Sequence, residues 1–79
     1  MENYSNMLKE LIKKLKCKNI IVSDKGSIIE IDIIKNNKRH SYIIKPNGID
    51  TKSYDNELNT LVIKYYDMII NLAKYETNN

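Results

Sequence analysis

The sequence predicts an α+β domain in the order α-β-β-β-α, with a three-stranded antiparallel meander and two helices on one face of the sheet. Both ends of the chain repeat apolar residues at the three-and-four spacing of a helix face. The middle third alternates apolar and polar residues, and Gly, Asn and Pro residues divide it into three short segments. At 79 residues, the chain is expected to form a single domain over 1–79.

The first helix is expected over residues 4–17. Its apolar residues keep to one helix face throughout: Tyr4, Met7, Leu8, Leu11, Ile12 and Leu15. Asn3 and Ser5 are both suitable N-caps. A basic row occupies the outer face of this helix: Lys9, Lys13 and Lys16. The row is a candidate contact for phosphate or for an acidic protein surface, and the alternative is an ordinary solvated face.

Three strands are expected after this helix, over 20–22, 28–34 and 39–45. The turn between the first two lies at 24–26, where Gly26 supplies a positive φ. A two-residue Lys25-Gly26 loop would place Ile20 and Val22 on the core face. A three-residue loop would shift the pairing by one residue, so both registers stay open.

A two-residue loop at Asn36-Asn37 predicts the register of the second and third strands, because asparagine tolerates left-handed conformations. The expected core-face pairs are Ile33 with His40, Ile31 with Tyr42, and Ile29 with Ile44. The expected outer-face pairs are Asp32 with Ser41, Glu30 with Ile43, and Ile34 with Arg39. The outer face should be open to solvent, because both helices lie on the other face.

The second helix is expected over residues 54–76, after a link at 49–53 in which Asp50, Thr51 and Ser53 are candidate caps. Its main apolar face is formed by Tyr54, Leu58, Leu61, Tyr65, Met68, Leu72 and Tyr75. A second apolar ridge runs beside that face: Ile63, Tyr66 and Ile70. The combined arc spans roughly 220°, against about 100–140° for an ordinary surface helix. At about 33 Å, this helix should overhang strands of ~17–23 Å.

The second ridge is the main functional clue. Exposed apolar patches on small proteins mark interfaces, and aromatic residues often anchor them. We therefore expect Ile63, Tyr66 and Ile70 to bind a protein partner, either a second copy in a homodimer or a different protein. The alternative is that a loop, the chain end or the first helix covers them.

Residues suited to catalysis are sparse. His40 is expected near a hairpin end opposite Ile33, away from the nucleophile or orienting carboxylate that a general base needs. Cys17 is the only cysteine, so it forms no internal disulfide, and with one histidine it makes no closed metal site. We expect Glu30 and Asp32 to lie on a solvated strand face rather than to act as a pair of catalytic acids. We expect no catalytic residue, no metal and no cofactor.

Charge and hydropathy point to a cytosolic protein with no membrane partner, because a signal peptide and an apolar run of about 20 residues are both missing. The net charge is +3. Residues 1–45 carry ten Lys/Arg against five Asp/Glu, whereas residues 46–79 carry three against five. This basic front half supports nucleic-acid binding only weakly, since strong binders cluster more positive charge.

The order of elements resembles that of the double-stranded-RNA-binding domain. Here the first hairpin turn is Asp24-Lys25-Gly26-Ser27, where that family has a Gly-Pro-x-His-like turn. The second helix begins Tyr54-Asp55-Asn56-Glu57, where the family has a Lys-Lys-x-Ala-Lys start. An acidic helix start repels phosphate, so none of the family's binding residues is carried over.

A local likeness to HicA-type toxins, which cleave RNA, covers about twenty residues. It consists of the helix segment 8–15 and the run Lys25-Gly26-Ser27. The family's catalytic histidine follows that run, and this chain has Ile28 in its place. The departure removes the activity that the resemblance would otherwise imply.

In size, order of elements and composition, the chain resembles the small phage-encoded inhibitors of bacterial defence, notably anti-CRISPR proteins. Isoleucine (14), lysine (12) and asparagine (11) dominate, and their AT-rich codons fit a phage or mobile element. The resemblance implies steric occlusion of a host defence nuclease or effector complex. Many such inhibitors are acidic DNA mimics; this basic chain should instead contact protein or interfere at a nucleic-acid groove. The alternative is a catalytically inactive nucleic-acid-binding or regulatory domain.

Overall fold

The structure, a computed structural model, describes the backbone of residues 3–77 and the side chains of residues 3–75. The helices are α1 (Tyr4–Leu15), α2 (Asn56–Lys64) and α3 (Tyr66–Thr77). The strands are β1 (Asn19–Asp24), β2 (Ile29–Lys35), β3 (Lys38–Lys45) and β4 (Gly48–Thr51). They form one antiparallel sheet in the order β1-β2-β3-β4. The α+β class is confirmed, with one more strand and one more helix than expected.

Helix α1 begins and ends through local hydrogen bonds. The Asn3 side chain accepts from the Asn6 N–H at 2.9 Å, so Asn3 rather than Ser5 is the N-cap. At the other end Lys16 adopts a left-handed conformation (φ 57°, ψ 46°), which ends the helix two residues before the predicted boundary. Leu15 is fully buried in the core.

The β2–β3 hairpin has the predicted register, and all six expected cross-strand pairs are present. Asn36 and Asn37 both have positive φ, 54° and 62°, as a two-residue type I′ turn requires. The first hairpin differs. Lys25 N–H donates to the Ile28 carbonyl at 2.9 Å, so Gly26-Ser27 form its tip and neither predicted loop is correct.

The first hairpin's register differs by two residues from that of the Lys25-Gly26 loop. A shift of two preserves which side chains face the core, because successive strand residues alternate between faces. Ile20 and Val22 are therefore buried as predicted, opposite Ile33 and Ile31.

Strand β4 was not predicted; residues 49–53 were expected to be a link. After the turn at Pro46-Asn47, Gly48 (φ 149°) turns the chain back to pair with β3. The strand holds one half-buried apolar residue, Ile49, opposite Ile44. Four residues with a single inward apolar side chain carry too little alternation to indicate a strand by themselves.

The single helix expected over 54–76 is wrong: Tyr65 (φ −104°, ψ 26°) separates α2 from α3. At the break, Tyr65 N–H donates to the Leu61 carbonyl, and the Tyr65 carbonyl accepts from Ile69 N–H. Neither proline nor glycine marks this break. The caps predicted for this helix were also wrong. Asp55 caps α2, accepting from Leu58 N–H at 2.9 Å, and Tyr54 lies outside the helix.

The core lies between the helices and one face of the sheet. Its buried residues are Leu11, Leu15, Ile20, Val22, Ile31, Ile33, Tyr42, Ile44, Leu58, Val62, Ile69, Leu72 and Ala73. The opposite face of the sheet exposes Ile21 and Ile43. No helix in the described part of the chain has the length and hydropathy of a membrane span.

Candidate functional site

The break at Tyr65 divides the predicted partner-binding ridge. Ile63 lies on α2 with 69% of its surface exposed. Tyr66 and Ile70 lie on α3, half-buried against the core. The three side chains therefore do not share one continuous helix face, and Ile63 is the member of the ridge that stays largely in solvent.

The predicted basic row remains together on the outside of α1. Lys9, Lys13 and Lys16 are all exposed. Lys16 Nζ lies 4.0 Å from Glu57 Oε2, and both side chains are mostly in solvent, so this pair contributes little. The row presents charge on a convex helix surface.

A groove at the edge of the sheet was not predicted from the sequence. Strand β4 pairs only with residues 42–45, so the first half of β3 has a strand neighbour on one side only. After Thr51 the chain leaves the sheet, and the segment 52–55 forms the opposite wall. The groove encloses about 1020 Å³ of space. Its lining comprises Asn36, Lys38, Arg39, His40, Ser41, Ile43, Asp50, Thr51, Lys52, Ser53, Tyr54 and Asp55.

Side-chain hydrogen bonds hold the 52–55 wall against β3. His40 Nδ1 lies 2.8 Å from Ser53 Oγ, which also accepts from the Asp55 N–H at 3.2 Å. The Asn59 amide donates to the Ser53 carbonyl at 3.0 Å and accepts from the Tyr42 hydroxyl. Burial raises the pKa of Tyr42, so its hydroxyl stays a donor at neutral pH.

The two acidic side chains in the lining each pair with a lysine from outside it. Lys35 Nζ lies 2.8 Å from Asp55 Oδ2, and Lys45 Nζ lies 2.6 Å from Asp50 Oδ2. The hydrogen bond from Lys35 lowers the pKa of Asp55, and the same bond raises the pKa of Lys35. Both carboxylates are thus locally neutralised.

Three cations and one aromatic ring remain on the groove surface. Lys38, Arg39 and Lys52 are exposed, and none pairs with an acidic side chain among residues 3–75. Tyr54 is 95% exposed. The groove therefore combines unneutralised positive charge with an accessible ring.

Comparisons with protein-family models, curated proteins and solved structures give no match. The expectation that His40 has no nucleophile in reach was wrong, because the 52–55 wall brings Ser53 to it. However, the Asp55 carboxylate accepts from Lys35 and from Leu58 N–H, and no described carboxylate hydrogen-bonds to the His40 ring.

The remaining candidates for special chemistry lie apart from the groove or do not cluster. Cys17 is half-buried, its Sγ lies 3.8 Å from the Ile12 carbonyl, and burial raises the pKa of its thiol. It is therefore a protonated side chain packed at the end of α1. Within the described residues, no three His, Cys, Asp or Glu side chains converge as metal ligands.

Proposed function

We propose that this protein is a non-enzymatic binding module that docks on a protein partner. In its specific form, the proposal is a phage or mobile-element inhibitor that occludes a CRISPR-Cas defence complex in the host cytosol. The observation that carries it is the exposure of large apolar side chains on two surfaces of a small domain. Such exposure is typical of an interface.

The first surface is the end of α2. Ile63 projects into solvent, and the half-buried Tyr66 and Ile70 lie beyond the break at Tyr65. Interfaces often depend on a few large side chains that become fully buried, with neighbouring contacts that exclude water around them. We assign Ile63 as the anchor and Tyr66 and Ile70 as flanking contacts.

The second surface is the open face of the sheet. A solvated antiparallel face normally carries polar side chains, yet Ile21 and Ile43 are 49% and 37% exposed there. Between these isoleucines, the Asp32 carboxylate accepts from the Ser41 hydroxyl at 2.6 Å, and the Glu30 carboxylate lies 3.2 Å from Lys25 Nζ. A partner that binds this face would therefore meet two exposed apolar side chains beside carboxylates that already have a polar neighbour within the chain.

A binding role also agrees with the geometry around His40. Its contact with Ser53 lacks the carboxylate that would orient the ring, because Asp55 is held by Lys35. The His40–Ser53 contact instead fixes the wall of the groove, which is a structural task.

The test is a DNA-cleavage assay in which the purified protein is added to purified CRISPR-Cas effectors loaded with guide RNA. Stoichiometric loss of cleavage, with a stable complex on size exclusion, is expected for one effector type. Ile63→Asp should abolish both. Asn6→Asp, which places the same charge at an exposed position of α1, should preserve them. Full cleavage by every effector type would contradict the specific proposal, and unchanged inhibition by Ile63→Asp would contradict the assigned surface.

Self-association is the alternative use of the Ile63 surface. Light scattering over a range of protein concentrations separates the two: a mass that doubles with concentration, and stays monomeric in Ile63→Asp, indicates a homodimer. A wild-type mass that stays monomeric leaves a different protein as the partner of this surface.

A further inference from the structure

We infer that the groove beside β3 binds single-stranded nucleic acid, with Tyr54 stacking on a base and with Lys38, Arg39 and Lys52 contacting phosphates. This site is separate from the Ile63 surface and goes beyond the proposed protein docking. Four observations carry it: the free charge, the exposed ring, the fixed wall and the shape of the groove.

The charge of the groove complements a phosphate backbone. Asp50 and Asp55 would oppose an anion, but each is paired with a lysine from outside the lining. Their pairing leaves the three exposed cations as the unneutralised charge of the groove. Phosphate neutralised by Lys and Arg releases counterions, which is the main source of affinity for nucleic acid.

The acidic start of α2, which the sequence suggests would repel phosphate, has cations close to it. Asp55 and Glu57 both lie close to Lys35, at 2.8 Å and 3.6 Å. Glu57 also lies 4.0 Å from Lys16. Local cations thus offset the negative charge of this helix end.

Tyr54 differs from the other tyrosines of the chain in its exposure to solvent. The other five are buried or half-buried, whereas the Tyr54 ring is almost completely in solvent and covers no apolar neighbour. An exposed ring beside cations is the arrangement with which proteins bind single strands, because every base offers a face for stacking. In a duplex the bases are already stacked, so Tyr54 would have no partner.

The backbone on both sides of Tyr54 is already ordered. Ser53 N–H donates to Thr51 Oγ1 at 3.0 Å, and Asp55 N–H donates to Ser53 Oγ at 3.2 Å. The ring is therefore presented from a fixed wall, which reduces the entropy lost on binding. The space of about 1020 Å³ is at the upper limit of small-molecule pockets, about 300–1,000 Å³, and suits a short stretch of strand better than one small ligand.

The test is fluorescence anisotropy with the full chain and a labelled oligonucleotide of about 12 nucleotides, DNA and RNA in parallel, within the ~4–16-nucleotide range of single-strand sites. Titrations between about 50 and 200 mM salt should show affinity falling as salt rises. Tyr54→Ala should weaken binding about 5- to 150-fold, and Tyr54→Phe should retain it because the ring is kept.

Charge variants distinguish binding in the groove from non-specific attraction of the oligonucleotide to the basic protein. Arg39→Ala with Lys52→Ala should lower the slope of log affinity against log salt by about 1.4, at roughly 0.7 per phosphate contact. The matched control, Lys9→Ala with Lys13→Ala, removes the same charge from α1 and should leave the slope unchanged. Ile63→Asp should also bind normally, which separates this site from the protein-docking surface.

Several outcomes would overturn the inference. They are no binding at about 50 mM salt, equal losses from the groove and α1 double variants, unchanged affinity of Tyr54→Ala, and tighter binding to a duplex of the same sequence. A mononucleotide that competes as well as the oligonucleotide would also overturn it, in favour of a nucleotide pocket. Because Tyr54 is exposed, its substitution leaves the fold intact, and circular dichroism checks this.

Discussion

The two walls of the groove are held in different ways. The β3 wall belongs to a hairpin whose backbone ladder and Asn36-Asn37 turn hold it in place within 17 residues of chain. The 52–55 wall has no ladder and depends on side chains brought from β2, β3 and α2: Lys35, His40, Asn59 and the cap residue Asp55. The β3 wall thus depends on local backbone geometry. The 52–55 wall depends on tertiary contacts, whose side chains can be titrated or substituted one at a time.

The largest loss of stability should come from truncating Leu58, a buried residue of α2 close in sequence to the 52–55 wall. Leu58→Ala empties a fully buried position at the start of α2 and should lower the free energy of unfolding by about 2–5 kcal/mol. Ile63→Ala, on the exposed side of the same helix, should change it by less than about 0.5 kcal/mol. Urea unfolding followed by circular dichroism measures both. Equal losses would mean that α2 is not held by its inner face.

The stability of the β2–β3 hairpin, which supplies the β3 wall, should depend on its turn residues. Asn37→Val places a β-branched residue at φ 62° and should cost about 1–2 kcal/mol of unfolding free energy. Asn37→Gly creates the preferred Asn-Gly turn and should leave stability equal or higher. Thermal unfolding of the two variants tests this. If Asn37→Val is as stable as wild type, the Asn36-Asn37 turn does not determine the register of the hairpin.

The stability of the 52–55 wall should depend on pH through the Asp55–Lys35 pair. The pKa of Asp55 is lowered from its ordinary value of 3.8, so its charge stabilises the fold above that value. This contribution is lost as pH falls through the lowered pKa. Asp55→Asn keeps a capping oxygen but no charge, so it should be less stable than wild type at neutral pH.

The stability gap between wild type and Asp55→Asn should close on acidification below 3.8. It should also close in strong alkali, above the ordinary value of 10.5 for Lys35, whose pKa is raised by the same pair. Unfolding free energies across pH measure the gap. A constant gap at all pH values would mean that the pair does not hold this wall.

The smallest effect is expected at the second ion pair. Lys45 and Asp50 lie 2.6 Å apart, but both side chains are more than a third exposed. Lys45→Ala should therefore cost below about 1 kcal/mol of unfolding free energy, and less in high salt. It should nevertheless weaken binding of a single strand, because it leaves Asp50 unneutralised in the groove. Unfolding free energy and oligonucleotide anisotropy, both measured on Lys45→Ala, separate the two effects. If the variant binds the oligonucleotide as tightly as wild type, Asp50 is not part of the binding site.

Residues whose conformation depends on near neighbours were predictable from the sequence. The Asn36-Asn37 loop predicted all six strand pairs, and the apolar face of α1 followed from spacing, while the choice of Asn3 over Ser5 as the cap came from the structure. The sequence also carries a turn signal at Pro46-Asn47-Gly48, directly after the strand predicted over 39–45. It could have been recognised as a hairpin turn that begins β4.

The break at Tyr65 and the groove depend on distant contacts. The sequence around Tyr65 contains neither proline nor glycine, so no local signal marks the break. The groove wall joins residues far apart in the chain, such as Lys35 with Asp55, separated by 20 positions. Neither feature leaves a periodic pattern in the sequence.

By itself, the sequence determined the α+β class, the apolar face of the first helix, and the register of the β2–β3 hairpin, because short-range sterics and the periodicity of side chains decide these. Only the tertiary structure decided which apolar residues stay exposed and which cations stay unpaired. Both depend on how α2 and α3 share one small core and on which acids Lys35 and Lys45 reach. Exposure and charge neutralisation are properties of the packed molecule, since each is set by neighbours that the order of residues does not reveal.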